Sequence, residues 1–204
     1  MKNKPKKGAK FIIGITGSFG SGKSTLAGLL AGRDTLLIDA DKIARALLKK
    51  GSRTYLKLVN IFGKGILRPD SSIDRRKLSG LVFADKQALR KLNRVVHPQV
   101  IREIKDKISR SAKSRVVLDA PLLIEAGLEK ICDCVVVVKI SRQQQIKRLR
   151  KKLGFSANQV SARSAAQLPL SVKLRKADFI IDNSKGLKET RKQVSKIRRL
   201  LWKS

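Results

Sequence analysis

Five short apolar runs punctuate an otherwise polar chain: FIIGIT at 11–16, TLLI at 35–38, RVVL at 115–118, VVVVKI at 135–140 and FII at 179–181. Most are continuous rather than alternating, the pattern of strands covered on both faces. Segments of helical periodicity separate them, so the order predicts an α/β fold with a central five-stranded parallel sheet. Two intervals are too long for a simple crossover helix. Residues 42–114 contain IARALLKK, RRKLSGLVF and ALRKLNRVVHPQVIREIKDKI and read as a mostly helical insertion. Residues 142–176 carry many Arg and Lys and no acidic residue at all. The last segment, LKETRKQVSKIRRLLWK, puts Leu187, Val194, Ile197 and Leu201 on one helical face, as expected of a terminal helix packed on the core.

In open parallel sheets, ligands bind beyond the carboxyl ends of the strands. The segments that follow the runs carry chemistry: GSFGSGKST, DAD, DAPLLIEAG, SRQQQ and DNS. Gly17, Gly22, Lys23 and Ser24 satisfy G-x-x-x-x-G-K-[ST] between a strand and a helix. Glycines let the backbone turn its N–H groups inward without a Cβ in the way, and those groups bind phosphate oxygens together with the following helix N-terminus. Lys23 brings a positive charge to the β- and γ-phosphates, and Ser24 offers a hydroxyl to Mg²⁺. The expected ATP-binding set is Gly17, Gly20, Ser21, Gly22, Lys23, Ser24 and Thr25.

Asp39 and Asp41 lie two apart at the end of the second run, where unpaired buried carboxylates would be costly. One can take a proton from an attacking hydroxyl and the other can hold a metal-bound water; either can instead cap the helix that follows. Asp119 ends VVLD in the manner of a Walker-B acid near Mg²⁺. The expected metal set is therefore Ser24, Asp39 and Asp119. Pro121 and Leu122 begin a turn that could wall an acceptor pocket.

Composition changes the picture mainly through charge. The 204 residues include 48 basic and 15 acidic ones, a net charge of +33. Such an excess fits a polyanionic partner, or a lysine-rich surface that is merely solvated. Apolar residues make up 42%, which suits a folded domain; aromatics are 4%, which leaves the core to Leu, Ile and Val and offers few rings for base stacking. Residues 1–10 form a basic tail, and FIIGIT is too short for a signal core or a membrane span. Cys132 and Cys134, two apart along a strand, would face the same side in poor disulfide geometry. His97 is the single histidine, too few ligands for zinc. Reduced, largely buried thiols and a cytoplasmic protein are expected.

The blocks GITGSFGSGKST, LIDADKIAR, IDRRKLSGLVF, LNRVVHPQV, VVLDAPLLIEAGL, RSAAQLPLSVK and ADFIIDNS occur in an order that resembles the dephospho-coenzyme A kinase family. The resemblance spans residues 14–184. It implies a P-loop NTPase fold with a nucleotide-binding core (11–41, 115–141 and 177–204), a helical acceptor-binding insertion (42–114) and a basic lid (142–176). It implies ATP with Mg²⁺ as substrate and cofactor, and phosphorylation of the 3′-hydroxyl of dephospho-CoA. Asp41 would be the general base, with Lys23 the other catalytic residue. Arg148 and Asn183 would join the ATP site. Asp41, Arg75, His97, Pro121, Leu122 and Arg163 would serve the acceptor. Lys152 and Leu153 depart from the family pattern of an arginine followed by an acid, and lysine lacks the planar two-point grip of arginine. A nucleoside acceptor is the nearest alternative reading. A nucleic-acid-dependent ATPase is a third, motivated by charge, which permits nonspecific nucleic-acid binding without making it the main function.

Overall fold

A computed structural model describes residues 9–202; most of the basic tail lies outside that range. Five strands form one all-parallel sheet in the order β2-β3-β1-β4-β5. They are β1 (Phe11–Gly17), β2 (Thr35–Asp39), β3 (Arg115–Asp119), β4 (Cys134–Lys139) and β5 (Phe179–Asp182). All five expected strands are present, with β4 starting one residue early. The helices around them are α1 (Lys23–Leu30), α6 (Arg142–Leu153), α7 (Ala157–Ala165), α8 (Leu170–Arg175) and α9 (Leu187–Leu201). Sheet and helices make up one compact unit, residues 9–39 and 111–202, which includes the segment expected to be the lid.

Alternation along β1 sorts the two faces. Phe11, Ile13 and Ile15 join Leu26, Ala27 and Leu30 of α1 and Val194 and Ile197 of α9 in a dry core. Gly14 and Thr16 face the other way, toward Leu123 and Pro121 in the turn after β3. Both strand starts on the β4 side are fixed by carboxylates: Asp133 Oδ2 accepts from Ile12 N at 2.7 Å, and Asp178 Oδ2 accepts from Val135 N at 2.9 Å. The edge strands are less covered than continuous apolar runs suggest. Leu37 of β2 is 46% exposed and Ile180 of β5 is 49% exposed, because an edge strand has a neighbour on one side alone. Leu187 also departs from expectation. It is exposed at the first position of α9, while Val194 and Ile197, further along, are buried.

Residues 40–110 form the second compact unit. It comprises α2 (Ala40–Leu47), α3 (Arg53–Phe62), α4 (Arg75–Ala84) and α5 (Lys86–Arg110). Its core contains Tyr55, Leu58, Ile66, Ile73, Leu78, Val82 and Ala88. Ser52 caps α3 by accepting from Tyr55 N, and Asp74 caps α4 by accepting from Arg76 N and Lys77 N. Helix α3 carried no distinct sequence signal before the structure placed it.

The two cysteines do not share a face. Cys134 begins β4 and lies in the α1–α9 core, whereas Cys132 sits in the preceding turn with its Sγ beside Gly14 on the other face. The chain enters the sheet only after Asp133 has bonded to β1, so the two-residue spacing is not a strand spacing. Both cysteines are free. Burial pushes each thiol up to about 12. Because the thiolate is the reactive form, native protein at pH 8 should resist iodoacetamide at both positions. Unfolding in guanidinium should expose two rapidly alkylated thiols, read by mass spectrometry.

Candidate active site

The loop between β1 and α1 is shaped by two glycines in particular. A Cβ on Gly17 would lie 2.2 Å from Val138 O, so the strand end can approach β4 only without one. Gly22 has φ of 87° and caps α1, and a Cβ there would lie 2.5 Å from Asn183 Nδ2. No side chain caps α1, in contrast to α3, α6 and α7, which Ser52, Ser141 and Ser156 cap. The first N–H groups of α1 are thereby left for an anion. Ser24 and Thr25 are exposed there, and Lys23 is half-buried.

The loop is braced from outside. Asn183 is buried, and its Nδ2 donates to Ser21 O at 2.7 Å. Its Oδ1 accepts from the Thr190 hydroxyl at 2.7 Å. Arg148 donates through Nη1 to Ser21 O and through Nη2 to Asn183 O, both at 3.3 Å. Gln145, also buried, donates from Nε2 to Phe19 O at 2.6 Å. Phe19 stacks on Phe155 with centroids 6.1 Å apart, and the Arg163 guanidinium lies 4.7 Å from the Phe155 ring centre and 5.7 Å from that of Phe19. Arg148 and Asn183 thus come together at the loop, and Arg163 of α7 meets the aromatic pair of Phe155, just before α7, and Phe19 of the loop.

Asp39 and Asp119 end adjacent strands and are register partners. Asp119 is also in register with Ile15, which faces α1. Laterally paired residues point to the same face, so both carboxylates emerge on the side of α1, the helix that carries Ser24. Pro121 leads to the opposite face. Its carbonyl accepts from Thr16 Oγ1 at 3.0 Å and from Lys173 Nζ at 2.8 Å. Lys173 is 1% exposed and pairs with Glu125 Oε1 at 2.9 Å. Burial lowers the Lys173 pKa, Glu125 raises it, and the charge of Lys23 adds to the lowering. Glu125 Oε1 also accepts from Leu168 N at 2.9 Å.

Leu122 follows Pro121 in the turn after β3. Asp41, Arg75 and His97 belong to the unit 40–110 and stand on three of its helices. Asp41 lies in the first turn of α2, past the strand rather than on it. Arg75 is exposed at the first position of α4. His97 is half-buried on α5 and precedes Pro98. Among the described residues no group of three or more His, Cys, Asp or Glu side chains is placed to hold a metal. No described helix is long and apolar enough to cross a membrane.

The family model for dephospho-CoA kinase matches residues 11–189. The chain belongs to the dephospho-CoA kinase family. A curated dephospho-CoA kinase of Carboxydothermus hydrogenoformans is 42% identical over 196 residues, covering 94% of this chain and 95% of that protein. One from Geobacillus kaustophilus is 40% identical, covering 89% and 92%. Among solved structures, a Thermus thermophilus protein matches with TM-score 0.80 at 34% identity, covering 93% of this chain and 96% of that one. A dephospho-CoA kinase from Campylobacter jejuni matches with TM-score 0.65 at 29% identity, over 93% and 96%. A shikimate kinase from Bacteroides thetaiotaomicron, at TM-score 0.55 and 12% identity, shares the fold.

Gln145, Phe19, Phe155, Thr190 and the Lys173–Glu125 pair escaped the sequence reading of this dephospho-CoA kinase family member. Glu125 had a signal, its place in PLLIEAG, and Gln145 had one in SRQQQ; Thr190 had none. The brace predicts that Asn183→Ala leaves Ser21 O to Arg148 Nη1 alone and the Thr190 hydroxyl to Gly186 O alone. Two hydrogen bonds at about 0.5–1.5 kcal/mol each should be lost from the stability. Thermal unfolding measures the loss, and titration with a fluorescent ATP analogue should show weakened binding.

Proposed function

We propose that this chain transfers the γ-phosphoryl group of ATP to the ribose 3′-hydroxyl of dephospho-CoA, releasing ADP and coenzyme A, the last step of coenzyme A biosynthesis. The observation that carries this reading is the family match over residues 11–189, nearly all of the folded chain. The braced glycine loop supports it chemically. Its inward amides and the uncapped α1 N-terminus suit triphosphate, with Gly17, Gly20, Ser21, Gly22, Lys23, Ser24 and Thr25 as the cradle. Lys23 stabilises negative charge on the phosphoryl oxygens as it moves. Asn183 and Arg148 act on ATP by holding the loop.

Asp41 is assigned as the general base that takes the proton of the 3′-hydroxyl. Arg75, His97, Pro121, Leu122 and Arg163 are assigned to the acceptor. Mg²⁺ is part of the proposal. Ser24, Asp39 and Asp119 are all hard oxygen donors, and the register of β2 with β3 sets the two carboxylates side by side on the α1 face, which fits that ion. Bound there, Mg²⁺ would neutralise phosphate charge. A cytoplasmic setting belongs to the same proposal and suits two free thiols.

The test is ADP release coupled to product analysis. ATP and dephospho-CoA should yield a 3′-phosphorylated product by mass and phosphate position; a nucleoside used in preference to dephospho-CoA would overturn the acceptor. Asp41→Asn should keep ATP affinity and lose most turnover, and near-normal turnover would remove the base from Asp41. Both substrates are polyanions and the chain carries +33. Raising ionic strength should therefore raise both KM values through screening, measured in initial rates from low to high KCl.

A further inference from the structure

A buried ion pair is poor value as a stabiliser, because desolvating two charges offsets most of their attraction. Lys173 and Glu125 therefore call for another account. The Pro121 carbonyl that Lys173 reaches already accepts from Thr16 Oγ1, so the lysine is not needed to satisfy it. What the lysine adds is a connection. Thr16 immediately precedes Gly17, the first glycine of the phosphate loop. Pro121 follows Asp119 by two residues, and Ala120 N, between them, donates to Ile15 O at 3.0 Å. Glu125 gathers Lys173 Nζ and Leu168 N from the α7–α8 segment onto the same turn. Three stretches of chain meet at one carbonyl and one carboxylate. They are the strand that leads into the loop, the turn that follows Asp119, and the end of the basic helical segment.

This junction borders open space at the loop. A cavity of about 360 Å³ is lined by Ser18, Arg142, Gln145, Gln167, Leu168 and Lys173, among others. Ser18 belongs to the phosphate loop, and its buried Oγ has no hydrogen-bond partner. Glu125 Oε2 is likewise buried without one.

We propose that Lys173 is a positioning residue for phosphoryl transfer: paired with Glu125, it clamps the turn after β3 and the α7–α8 segment to the strand that leads into the phosphate loop. The proposal rests on the kinase reading above. Displacement of reacting groups by an ångström can cost about 100-fold in rate, and the clamp acts on that scale, through Pro121 and the adjoining Asp119 rather than by touching substrate.

The experiment compares Lys173→Met, Glu125→Gln and the double variant with wild type. Each is measured for thermal unfolding, affinity for a fluorescent ATP analogue, and kcat with ATP and dephospho-CoA well below the unfolding temperature. Lys173→Met leaves Glu125 buried without its counter-charge, so both Tm and kcat should fall. The double variant buries no charge, so its Tm should return toward wild type. Its kcat should stay about 10- to 100-fold low, with ATP affinity within about threefold of wild type. A double variant that regains kcat along with Tm overturns the proposal and leaves the pair a packing feature. A Lys173→Met protein with lowered Tm but unchanged kcat overturns it too. Wild type that releases ADP without phosphorylating dephospho-CoA overturns the acceptor reading instead, and the same variants then decide the positioning role on that ADP release. Wild type with no ADP release overturns both.

Discussion

A loop that turns its amides inward to meet phosphate must turn carbonyls outward, and a carbonyl removed from water needs a donor. That constraint explains why Asn183, Arg148 and Gln145 stand where they do. Ser21 O receives Asn183 Nδ2 and an Arg148 nitrogen, and Phe19 O receives Gln145 Nε2. Gly22 must lack a side chain because Asn183 occupies the space a Cβ would need. Thr190, on α9, then holds Asn183 in orientation. The phosphate cradle is thus the inner surface of a shell whose outer surface is made by β5, α6 and α9.

The same economy governs the carboxylates. With 15 acids against 48 bases, few can be left to decorate the surface. Asp133 and Asp178 accept from strand amides, Asp74 caps α4, and Asp182 accepts from Ser184 N. Glu125 serves an ammonium and an amide together. Exposed pairs such as Arg102–Asp106 at 3.9 Å contribute little. Several of the acids act as backbone acceptors at the ends of elements, and much of the basic excess is left to solvent or to polyanions.

The strands were legible because burial on two faces writes itself as uninterrupted Val, Ile and Leu. The phosphate loop was legible because each of its fixed positions answers a local steric or electrostatic need. Where the need is not local, reading failed. Asn183 was singled out only through resemblance, and its bond to Ser21 spans 162 positions. Lys173 looked like one more solvated cation in an acid-free stretch, and its burial depends on Glu125, in another segment. Cys132 and Cys134 were misassigned to one face because Cys132 lies in the turn before β4, which begins only at Cys134. Leu37 and Ile180 read as core because position at a sheet edge is a property of topology, which the apolar run does not encode. Asp41, Arg75 and His97 stood out as residue types in motifs, whereas the helices that carry them follow from the caps and core of the unit 40–110.

The distance between Ser21 and its braces also bears on how the protein is made. Synthesis proceeds from the N-terminus, so GSFGSGKST leaves the ribosome well before the residues that brace it. Its conformation waits for Arg148, 127 positions later, and for Asn183 later still. A nascent chain holds the complete phosphate signature long before it holds a phosphate cradle. The brace on the loop is therefore complete only when β5, Asn183 and Thr190 of α9 have followed it out, more than 150 positions after the loop itself.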